Sequence, residues 1–253
     1  MKFILSGTGT SQGVPVIACK CQVCLSNDPR DKRLRTSGIL QSEETSLVFD
    51  AGPDFRQQML NAGISRLDAV VMTHEHQDHV AGLDDVRPFF FRQKEDFKIY
   101  AVPRVQERLK SAYEYAFKEY PYPGVPKFQL IDVHTADFRV GDITLTPIPV
   151  LHGKLPVMGY RVDDLAYLTD TNHIPDSSKE KLKNLKWLIL DALQHTKHYS
   201  HFTLEEALEV IEELQPEQAY LIHISHLMGN HAQVEPYLPA NVALGYDGLE
   251  IHW

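Results

Sequence analysis

Apolar residues along this chain fall into short runs of five to eight residues, separated by polar stretches that carry glycine, proline or aspartate. Several runs are almost continuously apolar, which is typical of strands buried on both faces of a sheet. The pattern therefore predicts eight strands: "KFILS" (2–6), "TSLVFD" (45–50), "DAVVMT" (68–73), "KIYAV" (98–102), "ITLTPIPV" (143–150), "LAYLTD" (165–170), "KWLILDA" (186–192) and "AYLIHIS" (219–225).

Helical patterns lie between these runs, at about 53–62, 103–118, 175–183 and 203–214. The last begins with Thr203 as N-cap and has Glu206 three residues later, which is the spacing of a capping box. Strands that alternate with helices, together with strands paired without helices, indicate a layered α/β protein. The sequence has no repeat, low-complexity tract or Gly/Ser-rich linker, so we predict one domain over residues 1–253.

The composition is that of an ordinary soluble globular protein, with 43% hydrophobic and 23% charged residues. The first ten residues lack the apolar stretch of a secretory signal, and no apolar run approaches the roughly 20 residues that span a bilayer. We therefore expect a cytoplasmic protein without a membrane partner, whose thiols stay reduced unless a metal holds them. The net charge of −9 argues against a large nucleic acid as partner but allows a small phosphate ester.

Side chains that bind metals follow the apolar strands, at the point where each strand ends. The strand "DAVVMT" runs into a tight loop that supplies four of them: His74, His76, Asp78 and His79. Three later strands end in the others: His152, Asp170 and His223. Loops at strand ends over a rigid sheet are the usual place for chemistry. The alternative, a solvated histidine-rich loop, does not account for the density of this motif.

The motif H-x-H-x-D-H after an apolar strand, with the three later residues in order, resembles the metallo-β-lactamase superfamily of binuclear metallohydrolases. The resemblance runs from residue 3 to about 251 and implies a four-layered αββα sandwich. It implies the following ligands: His74, His76 and His152 for one ion, Asp78, His79 and His223 for the second, and Asp170 as the bridge. "FDAGPD" (49–54) resembles the family's D-x-G at a strand end, which makes Asp50 a residue that orients the ligands. Two such ions can hold a bridging hydroxide and neutralise a phosphodiester.

All three cysteines lie in "ACKCQVC" (18–24), a segment that could bind metal. Cys21-x-x-Cys24 has the spacing of a redox motif, but it does not open a helix, and a third thiol precedes it. Three inert thiols are the other alternative. A closed tetrahedral zinc site takes four ligands, so the segment by itself is one ligand short.

Within the superfamily, the chain most resembles the phosphoribosyl 1,2-cyclic phosphate phosphodiesterase of the carbon–phosphorus lyase pathway. The shared motifs are "GTGTSQGVP" before C-x-C-x₂-C, the metal loop, "LHGKLPVMGY" and "HISH" (223–226). In that branch the three cysteines and the second histidine of "HISH" bind a structural zinc, which here implies the ligands Cys19, Cys21, Cys24 and His226. A core or surface histidine is the alternative for His226. The expected cofactors are two catalytic divalent ions, zinc or manganese, and one structural zinc per chain.

Further candidates follow from the same resemblance. "HFT" (201–203) resembles the H-[ST]-T element of related phosphodiesterases, so we predict His201 as leaving-group acid or phosphate contact, and Asp78 as the other catalytic residue. A loop histidine without a catalytic role is the alternative for His201, and His195 and His198 are weaker candidates. Lys154 matches a lysine of the cyclic phosphodiesterase branch and either binds substrate phosphate or neutralises nearby carboxylates.

The segment 86–127 is rich in aromatic residues and proline and differs from the cyclic phosphodiesterase in length and character. We expect an aromatic helix packed on the core, with a substrate lid or an oligomer surface, as in a homodimer, as alternatives.

The predicted function is a binuclear metal-dependent phosphodiesterase that hydrolyses a small cyclic or nucleotide-like phosphodiester. The enzymatic alternatives are a tRNA 3′-end processing endonuclease and a thioester or lactone hydrolase. The alternative from another class is a metal-binding carrier or assembly factor without catalysis.

Overall fold

The computed structural model describes residues 1–118 and 124–253 of the chain. Its strands are β1 (Lys2–Gly7), β2 (Ser37–Gln41), β3 (Ser46–Phe49), β4 (Ala69–Val71), β5 (Phe97–Ala101), β6 (Phe128–Asp132), β7 (Phe138–Val140), β8 (Ile143–His152), β9 (Leu155–Val162), β10 (Leu165–Leu168), β11 (Trp187–Asp191), β12 (Gln218–Ile222), β13 (Val242–Leu244) and β14 (Glu250–His252). Its α-helices are α1 (Phe55–Asn61), α2 (Gln77–Val80), α3 (Arg87–Gln93), α4 (Pro103–Ala112), α5 (Asp176–Lys179), α6 (Leu204–Leu214) and α7 (His231–Val234). Among these, no helix has the length and apolar character needed to cross a membrane.

The strands form two mixed sheets. The first has the order β14-β1-β2-β3-β4-β5-β6 and the second the order β13-β12-β11-β10-β9-β8-β7. Strands β3 to β6 and strands β10 to β13 are parallel and are connected through helices, whereas β8 and β9 form an antiparallel hairpin. In each sheet the carboxyl ends of the parallel strands therefore lie at one edge, where residues from different parts of the chain meet.

Three apolar layers hold the sheets and helices together. Between the sheets, Phe49 stacks on Tyr160 and Tyr167, with ring centroids 5.5 and 5.1 Å apart. Phe55 of α1 is buried against the outer face of the first sheet, and Ile211 of α6 is buried against the outer face of the second. This is the predicted four-layered αββα sandwich, so the predicted fold is confirmed.

All eight predicted strands are present, as β1, β3, β4, β5, β8, β10, β11 and β12. The helix predicted over 203–214 is α6, and its capping box is confirmed by the Thr203 Oγ1 that accepts from Glu206 N at 3.2 Å. Prediction missed the strands β2, β6, β7, β9, β13 and β14 and the helices α2 and α7. Helix α3 lies in segment 86–127, where an aromatic helix was expected without bounds.

Two predicted helices are too long. The helix predicted over 103–118 ends at Ala112, because Tyr113 leaves the helical conformation and its buried hydroxyl donates to Val80 O at 2.6 Å. A 3₁₀ turn, Glu114–Ala116, follows. The helix predicted over 175–183 is one α-helical turn followed by the 3₁₀ turn Glu180–Leu182, whose Leu182 is buried in the core.

The aromatic segment 86–127 packs on the core in its described part. Phe89 of α3 is buried and meets Phe55 edge-on at 6.5 Å, and Tyr113 is buried as well. The expected aromatic helix on the core is confirmed for Phe89, whereas Tyr113 packs on the core just beyond the end of α4 and Phe91 is half exposed. Residues 119–123 of this segment lie outside the described residues.

Candidate metal centre

The backbone turns sharply where the strands of the site end. Asp50 after β3, Asp170 after β10 and His223 after β12 all have positive φ, at 65°, 53° and 56°. Residues other than glycine rarely adopt this region, and each instance costs on the order of 1–3 kcal/mol. The surrounding sheets hold these three side chains in place, and all three point into one buried cluster.

One half of this cluster consists of three histidines. His74 and His76 follow β4, and His74 Nε2 lies 3.0 Å from His76 Nδ1. His152 ends β8, and its ring centroid lies 5.2 Å from that of His76. Two nitrogens at 3.0 Å can bind one ion at bond lengths of about 2.1 Å, so the structure brings His74 and His76 together. The ligand atom of His152 lies within 4.8 Å of those of Asp170 and His201.

The other half combines imidazoles with carboxylates. Ligand atoms of Asp78, His79, Asp170 and His223 lie within 4.8 Å of one another. Asp170 Oδ2 lies 3.2 Å from His79 Nε2, and Asp170 Oδ1 lies 3.2 Å from His223 Nε2 and 4.0 Å from His74 Nε2. Asp170 thus stands between the two halves, which is the place predicted for the bridging carboxylate.

The chemistry of these residues fits divalent cations. Nε2 of His79 and both ring nitrogens of His223 are buried without a hydrogen-bond partner among the described residues, an arrangement that costs free energy unless a ligand satisfies it. Burial by itself would lower the pKa of His223, but Asp170 and Asp78 outweigh it and raise the pKa to about 10. The carboxylates therefore make this cluster favourable for positive charge.

Asp50 is fully buried and orients two of the histidines. Its Oδ2 accepts from His79 Nδ1 at 2.7 Å and from Thr73 Oγ1 at 2.8 Å, and its Oδ1 accepts from Thr73 N at 2.8 Å. Thr73 Oγ1 in turn lies 2.9 Å from His74 Nδ1. With both Nδ1 atoms held as donors, the Nε2 atoms of His74 and His79 carry the lone pairs that face the cluster.

His201 lies at the cluster, as the sequence predicted. Its Nε2 is 4.0 Å from Asp170 Oδ1, and its ring centroid is 4.4 Å from that of His152, whose own Nδ1 donates to Ser200 O at 2.8 Å. Burial, reinforced by His223, lowers the pKa of His201 to about 3, so these protein groups keep the ring neutral at pH 7.

Asp191 is the functional candidate that the sequence analysis missed. This fully buried residue ends β11, accepts from Thr171 N at 2.8 Å and lies 3.3 Å from His201 Nδ1. It supports His201 as Asp50 supports His79. A signal was present, because "LDA" (190–192) repeats the "FDA" (49–51) that identified Asp50, each at the end of an apolar strand.

The remaining candidates lie at different distances from the cluster. His198 faces His201, with ring centroids 5.1 Å apart. His195 points away from it, and its Nε2 bonds to Met228 O at 2.9 Å. Lys154 is exposed in the turn between β8 and β9, two residues beyond His152.

The three cysteines and His226 form a second cluster. Cys19 Sγ and Cys21 Sγ lie 3.4 and 3.3 Å from His226 Nδ1, and the four ligand atoms, including Cys24 Sγ, all lie within 4.8 Å of one another. The apolar contacts around them are few, with Val14, Val23 and Cys24 as the buried members. The fourth donor that the cysteine segment lacks is therefore in place, three residues after His223.

Several known proteins are similar to this chain. The family model of the β-lactamase superfamily domain matches residues 45–224. An octanoyltransferase of Porphyromonas gingivalis (strain ATCC BAA-308 / W83) is 41% identical over 253 residues, covering 99% of this chain and 51% of that protein. The chain thus spans about half the length of this relative.

Solved structures extend the comparison. The crystal structure of a new diphosphatase from the PhnP family superposes with a TM-score of 0.93 at 39% identity and covers 99% of this chain and 96% of that chain. Zn²⁺-bound PqqB from Methylobacterium extorquens superposes with a TM-score of 0.79 at 19% identity over 100% of both chains, which shows a shared fold.

The matched range 45–224 contains Asp50, the metal loop and His223, and the fold implies divalent metal ions. The chain belongs to the β-lactamase superfamily, has the metallo-β-lactamase fold of hydrolases and is similar to the PhnP family.

Proposed function

We propose that this chain is a binuclear metal-dependent hydrolase of small phosphodiesters or diphosphates. The observation that carries the proposal is the position of Asp170. Its carboxylate lies within 4.8 Å of the ligand atoms of Asp78, His79 and His223 on one side and of those of His152 and His201 on the other. A carboxylate has two oxygens and can therefore join two cations, which suits phosphoryl chemistry.

The proposed ligands are those of the two halves: His74, His76 and His152, then Asp78, His79 and His223, with Asp170 between them. Two divalent cations, zinc or manganese, would activate water at neutral pH and neutralise the charge of the reacting phosphate. N/O donors of this kind accept either metal.

His201 is the proposed acid for the leaving group. Asp191 holds Nδ1 of this ring, so that Nε2 faces the Asp170 side of the cluster. The negative charge of a phosphate beside Nε2 raises the pKa of the ring, which then gains a proton and donates it to the leaving oxygen. Lys154, exposed in the turn beyond His152, is the proposed contact for a phosphate oxygen.

The cluster of Cys19, Cys21, Cys24 and His226 is the proposed structural zinc site. Three thiolates and an imidazole complete a tetrahedral set and leave no position for substrate. The loop that carries the cysteines has a small apolar core of its own, so zinc would supply much of its stability.

The substrate class follows from two facts. The PhnP-family relative is a diphosphatase. Hydrolysis of a diphosphate and hydrolysis of a phosphodiester both cleave a P–O bond at a phosphorus that carries two substituents. The net charge of −9 favours a small anion drawn in by bound cations over a long nucleic acid.

The test is purified protein with Mn²⁺ or Zn²⁺, offered bis(p-nitrophenyl) phosphate, a 2′,3′-cyclic nucleotide, a dinucleoside diphosphate, a pre-tRNA and a thioester. We expect turnover of the first three, lost by at least about 100-fold in Asp170→Asn. Asp137→Asn, an exposed carboxylate, is the matched control and should retain full activity. No turnover of the first three, or turnover unchanged in Asp170→Asn, would overturn the proposal.

A further inference from the structure

Four aromatic rings form a continuous series from the buried metal centre to solvent. The rings of His223 and His201 are stacked at 4.5 Å with 17° between their planes. His198 follows at 5.1 Å from His201, and Tyr199 lies 4.8 Å from His198 at 36°. We call these four residues the ring ladder. Its inner end is in the proposed catalytic cluster, and its outer end, Tyr199, is 82% exposed.

The backbone of Tyr199, at the outer end of the ring ladder, is hydrogen-bonded to residues next to the metal centre. Tyr199 O accepts from Asn172 Nδ2 at 3.1 Å, and Asn172 Oδ1 accepts from Gly153 N at 2.7 Å, next to His152. The neighbouring Ser200 O accepts from His152 Nδ1. An aromatic side chain gains about 1.5–3 kcal/mol when it is buried, yet this one is held outward on a tethered backbone. Such an arrangement is typical of a binding surface rather than of a loose loop.

We propose that Tyr199, supported by His198, is the surface on which the nucleobase of the substrate stacks while its phosphate occupies the metal centre. This inference rests on the proposed function and narrows its substrate class to nucleotides. Tyr199 lies two rings beyond the proposed acid His201, at the solvent end of the ring ladder, so a base stacked on it would be joined to a phosphate at the metal centre. Stacking on a neutral ring is sequence-tolerant, because every base has a π-face.

Stacking would make nucleotides bind more tightly than sugar phosphates, which the same metal centre would also accept. A ribosyl phosphate offers no flat ring, so its affinity depends on the phosphate and the sugar hydroxyls alone. A nucleoside phosphate adds one base–aromatic contact, which contributes about a 5- to 150-fold gain in affinity. Tyr199 therefore acts on KM for nucleotide substrates and leaves the reacting bonds untouched.

Calorimetric binding of AMP and of ribose 5-phosphate tests the proposal on protein loaded with Mn²⁺. Wild-type protein should bind AMP at least about 10-fold more tightly than ribose 5-phosphate. Tyr199→Ala should abolish that preference and leave the affinity for ribose 5-phosphate within about twofold, and Tyr199→Phe should restore the preference. Tyr237→Ala, another tyrosine that is 88% exposed, is the control and should change neither affinity.

Two results would overturn the inference: a wild-type protein without preference for AMP, or a Tyr199→Ala variant that retains the preference. The kinetic counterpart compares thymidine 5′-(p-nitrophenyl phosphate) with methyl p-nitrophenyl phosphate. In Tyr199→Ala, KM should rise for the first ester only, and kcat should stay constant for both. The binding assay needs no turnover, so a failure of the proposed hydrolysis and a failure of the stacking surface give different results.

Discussion

Replacement of Asp50 by asparagine tests the metal centre through a single buried atom. Asp50 Oδ2 accepts from both His79 Nδ1 and Thr73 Oγ1, at 2.7 and 2.8 Å. Asparagine has the same volume and keeps one carbonyl oxygen for Thr73 N. The NH₂ group of the asparagine, however, would take the place of Oδ2, which now accepts two hydrogen bonds. It would face the donor His79 Nδ1–H, and two donors cannot bond to each other.

The magnitude follows from what these bonds hold. A hydrogen bond to a charged partner contributes about 1.5–3 kcal/mol, and loss of a residue that orients a metal-binding histidine lowers metal affinity by about 10- to 100-fold. Asp50 orients His79 directly and His74 through Thr73, so two proposed ligands lose their support together. We expect the affinity of the catalytic pair to fall by about 100-fold, or roughly 2.7 kcal/mol.

The assay is competition with a chromophoric chelator, followed by elemental analysis of the protein. Asp50→Asn should lose the proposed catalytic metals at a chelator concentration that wild type resists, while zinc at the proposed structural site of Cys19, Cys21, Cys24 and His226 should stay bound. Asp137→Asn serves as the exposed control. An affinity within about threefold of wild type would refute the reasoning, and so would equal loss of metal from both clusters.

Three further predictions address other parts of the molecule. His226→Ala should remove one metal per chain and lower the melting temperature by at least about 5 °C, with the catalytic metals retained, as elemental analysis and calorimetry would measure. Asp191→Asn should lower kcat by about 10- to 100-fold at unchanged KM and metal content, and a double variant with His201→Ala should be no slower than His201→Ala alone, because Asp191 acts through that ring. Burial raises the pKa of Asp247 to about 6, against the hydrogen bonds from Leu34 N and Thr8 N, so the folded chain binds this proton more tightly than the unfolded chain does. The free energy of unfolding of the wild type should therefore fall by about 2 kcal/mol between about pH 4 and pH 6, relative to that of Asp247→Asn. Urea unfolding at a series of pH values would measure both proteins, and parallel pH profiles of the two would contradict the prediction.

The hydrophobic pattern was sufficient for strands that form unbroken apolar runs, but not for short, interrupted or half-exposed strands, such as β2 ("SGILQ") inside the first sheet. Central strands such as β4 and β11 are apolar on both faces and form unbroken runs. Strands β6 and β7 have alternating or half-exposed residues, and β13 and β14 have three residues each, too few for a pattern. Strand β9 was missed because proline and glycine interrupt "LPVMGYRV", although its pairing with β8 in the hairpin holds it extended.

Most residues of the candidate site could be identified in the sequence, for a physical reason. Metal-binding side chains are specific residue types, and the ends of parallel strands bring them together whatever the loops do. Resemblance supplied the partners that lie far apart in sequence, such as His226 for the cysteines. Asp191 was missed although "LDA" (190–192) repeats the "FDA" (49–51) of Asp50, because its role depends on its contact with His201. Tyr199 was missed because its residue type does not distinguish it and its position beside His198 is known only from the structure.

The cluster of cysteines and His226 also sets an order of events during synthesis of the chain. Cys19 and His226 are 207 residues apart, and twelve strands are translated before His226 emerges. Contacts between such distant residues form slowly, because a long stretch of chain must already be ordered. At a translation rate of about 5–20 residues per second, His226 is synthesised on the order of ten seconds or more after the cysteines. Closure of this cluster is therefore a late step, and a filled zinc site would mark chains in which both sheets have already come together.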